Sequence, residues 1–436
     1  MPRDSKTASQ TAVLATALRI LTVAVAFGSS VVIARVLKPE GRGAYFVIMT
    51  VAVAAMSLGH FSLEQAHVYL WSRVDARRSL VANSVAFGLG LGSLAGIAAW
   101  AIVYLLGPET FPVTGLGVLG VAMIAVPLGM ITLYMSGFLV LDGRLLRLNG
   151  ARFIAGCVQL ALMGLLALTG KLNVYSAIVV WVIFMALPLT AALGAFRARF
   201  RDLSMPLARE AGALGASYHL GMAAVFLLFR IDLFFLNSMT TPAEVGLYSL
   251  AVTIAELTYL LTDSVAQVML PRQLEGTMET SGQITAHSVR LNFMFAFVIL
   301  VGTISLGPFF IPRLFGEEFS GSMPAIIALA PGILALATMR TIGGFLIRLN
   351  RPFLISTASV LAMASNVALN LLLIPRFGIV GAGLSSSIVY ALLSAFYLIW
   401  WRKTGNLKLG DLIPRVSDIR DPLMGLMSGI LGRRGR

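Results

Sequence analysis

Charge and cysteine are both scarce in this chain. Charged residues make up only 12% of the 436 residues, while hydrophobic residues make up 58%. A soluble domain usually has about a quarter of its residues charged, so this composition predicts a protein embedded in lipid. The single cysteine, Cys157, lies inside an apolar run. One cysteine excludes an intrachain disulfide, a cysteine-rich metal site and an iron–sulfur cluster, and we interpret Cys157 as a small packing residue.

Signatures of catalysis are also missing. No loop between apolar runs is long enough to fold into a soluble domain, and no glycine-rich phosphate loop ends in Gly-Lys-Ser/Thr. We therefore predict a protein that is not an enzyme, hydrolyses no ATP and has no cofactor. His60, Glu64 and His67 stand at i, i+4 and i+7. We interpret them as a polar helix end that faces the lipid headgroups, and we predict no metal site.

The apolar runs are long enough to cross a bilayer, which takes about 20 residues in a helix. This predicts an all-α membrane protein with about twelve transmembrane helices. The predicted spans are residues 11–36, 44–69, 80–106, 113–141, 150–169, 173–196, 213–237, 245–270, 289–311, 322–347, 353–374 and 379–401. The apolar run after the polar residues 1–10 is too long for the core of a signal peptide, so we read it as the first span.

The positive charges predict the orientation of these spans. The net charge is +14, which in a soluble protein would suggest nucleic-acid binding. Here 24 of the 33 Lys and Arg residues fall on one side if the N-terminus is cytoplasmic, six on the other, and three within spans. The positive-inside rule explains this distribution, so we predict no nucleic-acid partner. We expect a multi-pass protein of a bacterial inner membrane with both termini in the cytoplasm.

An internal repeat divides the chain. Residues 39–45 and 242–248 both read Pro-x-x-x-Gly-x-Tyr, and we expect Pro to start an outer turn, Gly to permit the bend and Tyr to anchor at the membrane interface. A Gly-Phe-Leu at 137–139 followed by Arg144 recurs at 344–346 followed by Arg351. The two similar offsets predict two six-helix lobes with the same orientation around a central cavity.

The predicted boundaries follow from this repeat. A cytoplasmic N-terminus occupies residues 1–10, an N-lobe 11–200, a C-lobe 201–402 and a basic cytoplasmic tail 403–436. In the tail, apolar residues from Leu423 to Leu431 before three arginines are typical of an amphipathic anchor on the inner leaflet, and an undocked, disordered tail is the alternative. Glycines 88, 92 and 96 form a ridge of small residues on the third span, which predicts close helix packing.

Three segments carry a resemblance to a known family. Residues 34–45 (ARVLKPEGRGAY) resemble the first outer turn of bacterial polysaccharide flippases. Arg230-Ile231-Asp232 with residues 245–251 (VGLYSLA) resembles the start of their second lobe, and residues 374–383 (IPRFGIVGAG) resemble their last outer turn. The family is the oligosaccharide or polysaccharide flippases of the multidrug/oligosaccharidyl-lipid/polysaccharide (MOP) exporter superfamily. The resemblance covers about residues 10–402 and implies that undecaprenyl-pyrophosphate-linked glycans are moved across the inner membrane.

Charged side chains inside the spans are the candidate site residues, because a charge in the membrane needs a partner or a watery cavity. We expect Arg19, Arg340 and Arg230 to bind the anionic headgroup of a substrate, since guanidinium groups suit bidentate phosphate contacts. Asp232, Glu256 and Asp263 are the candidates for structural pairs or for ion coupling. Because the spacing of Arg230 and Asp232 places them on different helix faces, Arg230 is predicted to pair with Glu256. Pro331-Gly332 is expected either to interrupt the tenth span near Arg340 or to form a simple packing kink.

The expected function is therefore translocation of a lipid-linked oligosaccharide by alternating access. The expected partners are the polyprenyl-pyrophosphate-linked glycan, the bilayer, a coupling ion (H⁺ or Na⁺) and other polysaccharide-assembly membrane proteins. The alternative is a multidrug and toxin extrusion antiporter. Such antiporters usually have a carboxylate in helix 1, whereas this first span has Arg19 and no acid. A membrane glycosyltransferase and a scaffold without transport activity are further alternatives.

Overall fold

The computed structural model describes residues 5–110, 115–274, 277–347, 349, 351–405 and 409–413. Within these ranges the chain is helical and has no strand. The long helices are α1 Ser5–Gly59, α2 Leu63–Leu70, α3 Arg77–Thr110, α4 Leu116–Met123, α5 Ala125–Leu141, α6 Leu145–Leu168, α7 Val174–Leu193, α8 Met205–Leu228, α9 Ile231–Met239, α10 Pro242–Leu274, α11 Met278–Phe315, α12 Met323–Ile347 and α13 Pro352–Gly405. Short 3₁₀ turns link some of them. The predicted amphipathic anchor in the tail lies outside the described residues.

The prediction of twelve crossings is confirmed. In the described part of the chain, nine segments are long and apolar enough to cross a membrane. Two of them, Ala17–Gly59 and Phe353–Thr404, have 43 and 52 residues, about twice what one crossing needs. Each contains one residue with left-handed backbone, Lys38 (φ 60°) and Gly378 (φ 54°), where the chain reverses. These two add two crossings, and α10, with 33 residues, adds the twelfth.

The chain forms two compact units. The first covers the residues up to Ser249 together with Ile311–Gly321, and the second covers Leu250–Phe310 and the residues from Ser322 onward. The units therefore do not follow the boundary at residue 200 that the repeat suggests. The division into an N-lobe and a C-lobe by the repeat stays a prediction.

Close packing of α3 is confirmed in the first unit. A Cβ on Gly92 would lie 2.5 Å from the Cα of Pro127, and one on Gly96 would lie 3.3 Å from the carbonyl oxygen of Met123. Gly88 contacts Ile131 in the same way. A side chain would collide at Gly88 and Gly92 and would be tight at Gly96, so the ridge lets the backbones of α3 and of the α4–α5 segment approach each other.

The two Pro-x-x-x-Gly-x-Tyr segments pack against each other within the first unit. A Cβ on Gly43 would overlap the carbonyl oxygen of Pro242, and a Cβ on Gly246 would overlap that of Pro39. Each glycine therefore lies on the proline of the other copy. We call residues 39–45 and 242–248 the turn pair.

This contact corrects two expectations about the motif. The bend is made by Lys38, because Pro39 disfavours helical backbone at the residue before it. Gly43 serves close packing instead of bending. The tyrosines are also not interfacial: Tyr45 is 6% exposed and Tyr248 is 0% exposed, because both point into the protein interior.

In the second unit, α12 packs along α13, and the expected interruption of the helix at Pro331-Gly332 is wrong. Helix α12 continues through both residues. The hydroxyl of Ser387 accepts a hydrogen bond from the Gly332 N–H (3.1 Å) and donates to the carbonyl oxygen of Ala328 (2.5 Å). The hydroxyl therefore stands between a helical donor and its usual acceptor four residues earlier. The site is a packing contact between two helices, and the alternative of a packing kink stays a prediction.

Candidate substrate-translocation site

Arg19 lies on the first half of α1, against α6. Its charge interacts with that of Arg152 on α6, and the amide of Asn149 ties the two helices together by donating to the carbonyl oxygen of Ala15 (3.2 Å). Arg19 is half-buried and Arg152 is exposed. Two neighbouring guanidinium groups repel each other, so this place favours an anion.

Arg230 lies at a break in the seventh crossing, between α8 and α9. Its backbone (φ −134°, ψ −16°) leaves the helical region, and α9 begins at the next residue. Asp232, in the first turn of α9, is 2% exposed. Its carboxylate accepts hydrogen bonds from the Tyr248 hydroxyl and from the Leu233 N–H. Asp232 is thus tied to the turn pair through Tyr248, while the pairing of Arg230 with Glu256 stays a prediction.

Beside this break runs an apolar groove. It has a volume of about 620 Å³ and is lined by the second half of α1, by α3 and by α9. The α9 side is formed by Ile231, Phe234, Phe235 and Ser238, which directly follow Arg230. In the first unit, Arg230 therefore lies directly before α9, the helix that forms one side of this apolar groove.

Arg340 belongs to the second unit. It is exposed on α12, and its guanidinium lies 5.4 Å from the ring centroid of Tyr259 on α10. This distance is that of a cation–π contact. Glu256 is half-buried on the same helix as Tyr259. Asp263 also falls on α10, but its side chain lies outside the described residues.

Arg42 is a residue whose place the sequence analysis missed. We expected it in an outer loop, but it is 3% exposed within the second half of α1. Its guanidinium donates to the Ser249 hydroxyl (2.9 Å) and to the hydroxyl (3.0 Å) and carbonyl oxygen (3.1 Å) of Ser30. It also lies 5.9 Å from the centroid of the Phe319 ring. Its position beside Gly43, in the repeated motif, was the available signal.

The His60, Glu64 and His67 group is also corrected. Helix α1 ends at Gly59, and residues 61–62 have left-handed backbone (φ 49° and 48°), so the three residues do not share one continuous helix. His60 and His67 are 8% and 1% exposed, so this helix end does not face the headgroups. His60 Nδ1 lies 3.1 Å from a Glu64 carboxylate oxygen. In the described part of the chain, no group of three His, Cys, Asp or Glu residues has the geometry of a metal site.

Comparison with known proteins places this geometry in context. No family model matches the chain. It is 26% identical over 175 residues to a probable low-salt glycan biosynthesis flippase, Agl15, of Haloferax volcanii, and 26% identical over 204 residues to an uncharacterized membrane protein, MJ1068, of Methanocaldococcus jannaschii. These matches cover 38% and 45% of this chain and span only 37% and 40% of the relatives' own length.

Solved structures match over nearly the whole chain. A lipid II flippase, MurJ, in an inward closed conformation aligns with a TM-score of 0.74 over 92% of this chain and 89% of its own. The inward-facing conformation of a multidrug resistance transporter of the MATE family aligns with a TM-score of 0.71 over 91% and 98%. The chain has the fold of these two membrane transporters. Both structures are 14% identical to this chain, so the likeness shows the fold alone.

Proposed function

We propose that the protein flips a lipid-linked oligosaccharide, carried on undecaprenyl pyrophosphate, across a bacterial inner membrane. The observation that carries the proposal is the apolar groove that begins beside Arg230. A polyprenyl-pyrophosphate glycan has a long apolar tail and an anionic head, so it needs adjacent hydrocarbon-like and cationic surfaces. The sequence match to a glycan biosynthesis flippase supports this reading.

The proposed mechanism is alternating access. Arg19, Arg230 and Arg340 bind the pyrophosphate or an acidic sugar through charge-assisted hydrogen bonds, while the tail remains in lipid or in the groove. Without a nucleotide site in the sequence, an ion gradient, the membrane potential or consumption of the glycan outside must drive the cycle. Protonation of Glu256 or Asp263 is the proposed coupling step.

Flipping can be tested in proteoliposomes that contain the full-length protein. The probe is an undecaprenyl-pyrophosphate-linked disaccharide with a fluorescent sugar, and a membrane-impermeant quencher reports the fraction that remains on the outer leaflet. We expect Arg230→Ala and Arg19→Ala to slow flipping by about tenfold or more, the effect of losing one charge-assisted hydrogen bond. Arg376→Ala, which removes an exposed guanidinium elsewhere, is the matched control and should stay within about twofold. Wild-type rates in both test variants would contradict the proposed headgroup site.

A cation-coupled drug antiporter is the second candidate, because the MATE transporter structure matches the fold almost as well as MurJ does. The first half of α1 has Arg19 where such antiporters usually use a carboxylate, which disfavours a cationic cargo. Drug susceptibility of a deletion strain separates the two. Loss of resistance without accumulation of lipid-linked glycan would favour the antiporter.

A further inference from the structure

A second cavity, distinct from the apolar groove, lies where α3 begins and α5 and α7 end. Its volume is about 380 Å³. Basic side chains dominate its wall, and two aromatic side chains complete it. The lining consists of Trp71, Arg77, Arg78, Val81, Asp142, Arg144, Ala195, Phe196, Arg197, Arg199 and Asp202. We call it the basic cavity, and all of it belongs to the first unit.

The charges of the basic cavity do not balance. Five arginines face two aspartates, which leaves three positive charges in excess. Arg144 is paired with Asp142 at 2.6 Å. Within the described part of the chain, the other four arginines of the cavity have no carboxylate within 4.0 Å. The positive-inside rule explains why arginines occur near a membrane face, but it does not require four of them to surround one cavity without counter-ions.

A nearby arginine shows the contrasting case. Arg73, just before this region, makes a bidentate contact with Glu210, with both N···O distances below 3.0 Å. The hydrogen bond from the Arg73 guanidinium to Glu210 raises the pKa of Arg73. Arg73 therefore has its counter-ion within the protein and does not line the cavity.

The start of α3 adds to the positive potential. Arg77 and Arg78 occupy the first turn of this 34-residue helix, which has no acidic residue there. The N-terminus of a helix already carries a partial positive charge, so cations in the first turn are unfavourable and anions favourable. Asp75, in the preceding turn, is exposed and does not line the cavity. This combination costs stability unless an anion occupies the site.

The two aromatic side chains of the basic cavity contact two of its arginines, and one of these aromatic residues has an N–H group that makes no hydrogen bond within the described residues. Arg77 lies 4.8 Å from the ring centroid of Trp71 and donates to its backbone carbonyl oxygen at 3.0 Å. Arg144 lies 5.5 Å from the ring centroid of Phe196. Trp71 is 5% exposed, and its indole N–H has no hydrogen-bond acceptor among the residues that the structure describes.

We propose that the basic cavity binds the phosphate headgroup of a membrane lipid. Guanidinium groups and a helix N-terminus both suit phosphate oxygens. A lipid is favoured over a soluble anion because three membrane-crossing helices begin or end here, at the level where headgroups lie. The phosphate can belong to a polyprenyl pyrophosphate, which would make the cavity a loading site, or to an anionic phospholipid. The binding does not depend on the proposed flippase function.

The test measures lipid binding to the full-length protein in nanodiscs made of a zwitterionic lipid. The probes are undecaprenyl pyrophosphate, phosphatidylglycerol, diacylglycerol as the lipid without phosphate, and inorganic pyrophosphate. The test variant Arg77→Gln/Arg199→Gln should weaken binding of a phosphate lipid by about tenfold or more for each lost charged contact. Arg209→Gln/Arg376→Gln removes two exposed charges outside the cavity and should change the binding less than about twofold.

The outcomes separate the sources of the phosphate. Tighter binding of undecaprenyl pyrophosphate than of phosphatidylglycerol identifies a loading site, and equal binding identifies a phospholipid site. Equal affinity for inorganic pyrophosphate and the lipids, or equal loss in test and control variants, overturns the proposal. If the test variant does not fold, a lipid with a diazirine in its headgroup should label residues 71–81 or 195–202 of the wild-type protein. Labelling elsewhere alone would also overturn it.

Discussion

The turn pair and the basic cavity treat arginine in opposite ways. In the turn pair, Arg42 is buried against three oxygen acceptors and one aromatic ring, and the surrounding backbones touch. In the basic cavity, Arg78 and Arg199 line open space and have no carboxylate within 4.0 Å among the described residues. The first region is complete without a ligand, whereas the second has donors in excess. The sequence alone did not separate these cases, because both sets of arginines flank apolar runs.

The largest effect should come from adding a methyl group inside the turn pair, where the two backbones leave no space for one. Gly246→Ala places a methyl group on the carbonyl oxygen of Pro39. This oxygen belongs to the backbone, so it cannot move aside as the end of a flexible side chain could. We expect a loss of about 3 kcal/mol or more in the free energy of unfolding, measured by thermal unfolding in detergent. Gly90→Ala is the control, because nothing lies within 4 Å of its added Cβ, and it should be neutral or stabilising. A tolerated Gly246→Ala would contradict the tight contact.

Removal of the buried guanidinium should have the next largest effect. Arg42→Ala removes packing on Phe319 and leaves the Ser30 carbonyl oxygen without this donor, so we expect a loss of about 2 kcal/mol. Arg376→Ala, at an exposed position, should change stability by less than about 0.5 kcal/mol. The same unfolding assay checks both. If added phosphate lipid restored the stability of the Arg42 variant, the distinction between the two regions would fail.

Removing a guanidinium from the basic cavity should raise the stability of the protein, whereas removing that of Arg42 should lower it. Arg78→Gln removes a cation from the N-terminus of α3, so in detergent without anionic lipid we expect a gain of about 0.5 kcal/mol. Arg402→Gln removes a cation from the last turn of α13, where the helix end favours it, and should lose about the same amount. A loss of stability in both variants would show that Arg78 is a structural residue like Arg42.

The smallest effect on stability should come from removing the indole N–H of Trp71. Trp71→Phe retains an aromatic ring against Phe138, whose centroid lies 4.5 Å from that of Trp71, and removes an N–H without an acceptor. We expect a change within about 0.5 kcal/mol in lipid-free detergent. Trp100→Phe is the control, because the Trp100 N–H donates to the Leu116 carbonyl oxygen at 3.1 Å, and it should cost about 1 kcal/mol. Equal losses would mean that Trp71 has a partner.

The sequence predicted the crossings well, because a bilayer demands long apolar helices with satisfied backbones. It also found the repeat, the close packing of Gly88, Gly92 and Gly96, and the residues on which the turn pair depends. It misjudged the role of Gly43 and the burial of Tyr248, since pattern matching cannot tell a bend from a close contact between distant segments. It missed the basic cavity because Arg77, Arg144 and Phe196 come from three separate parts of the chain. The roles of Arg19, Arg230 and Arg340 stay predictions.

The serine hydroxyl that completes a hydrogen bond of α12 has a mechanical consequence. If α13 moved away, the Gly332 amide and the Ala328 carbonyl would lose the hydroxyl that bridges them and would have to bond to each other directly, as in a regular helix. A second hydrogen bond joins the same helices two turns along, where the Ser394 hydroxyl donates to the Ala335 carbonyl oxygen at 2.8 Å. We therefore expect α12 and α13 to move together as one rigid unit in any conformational change of the protein.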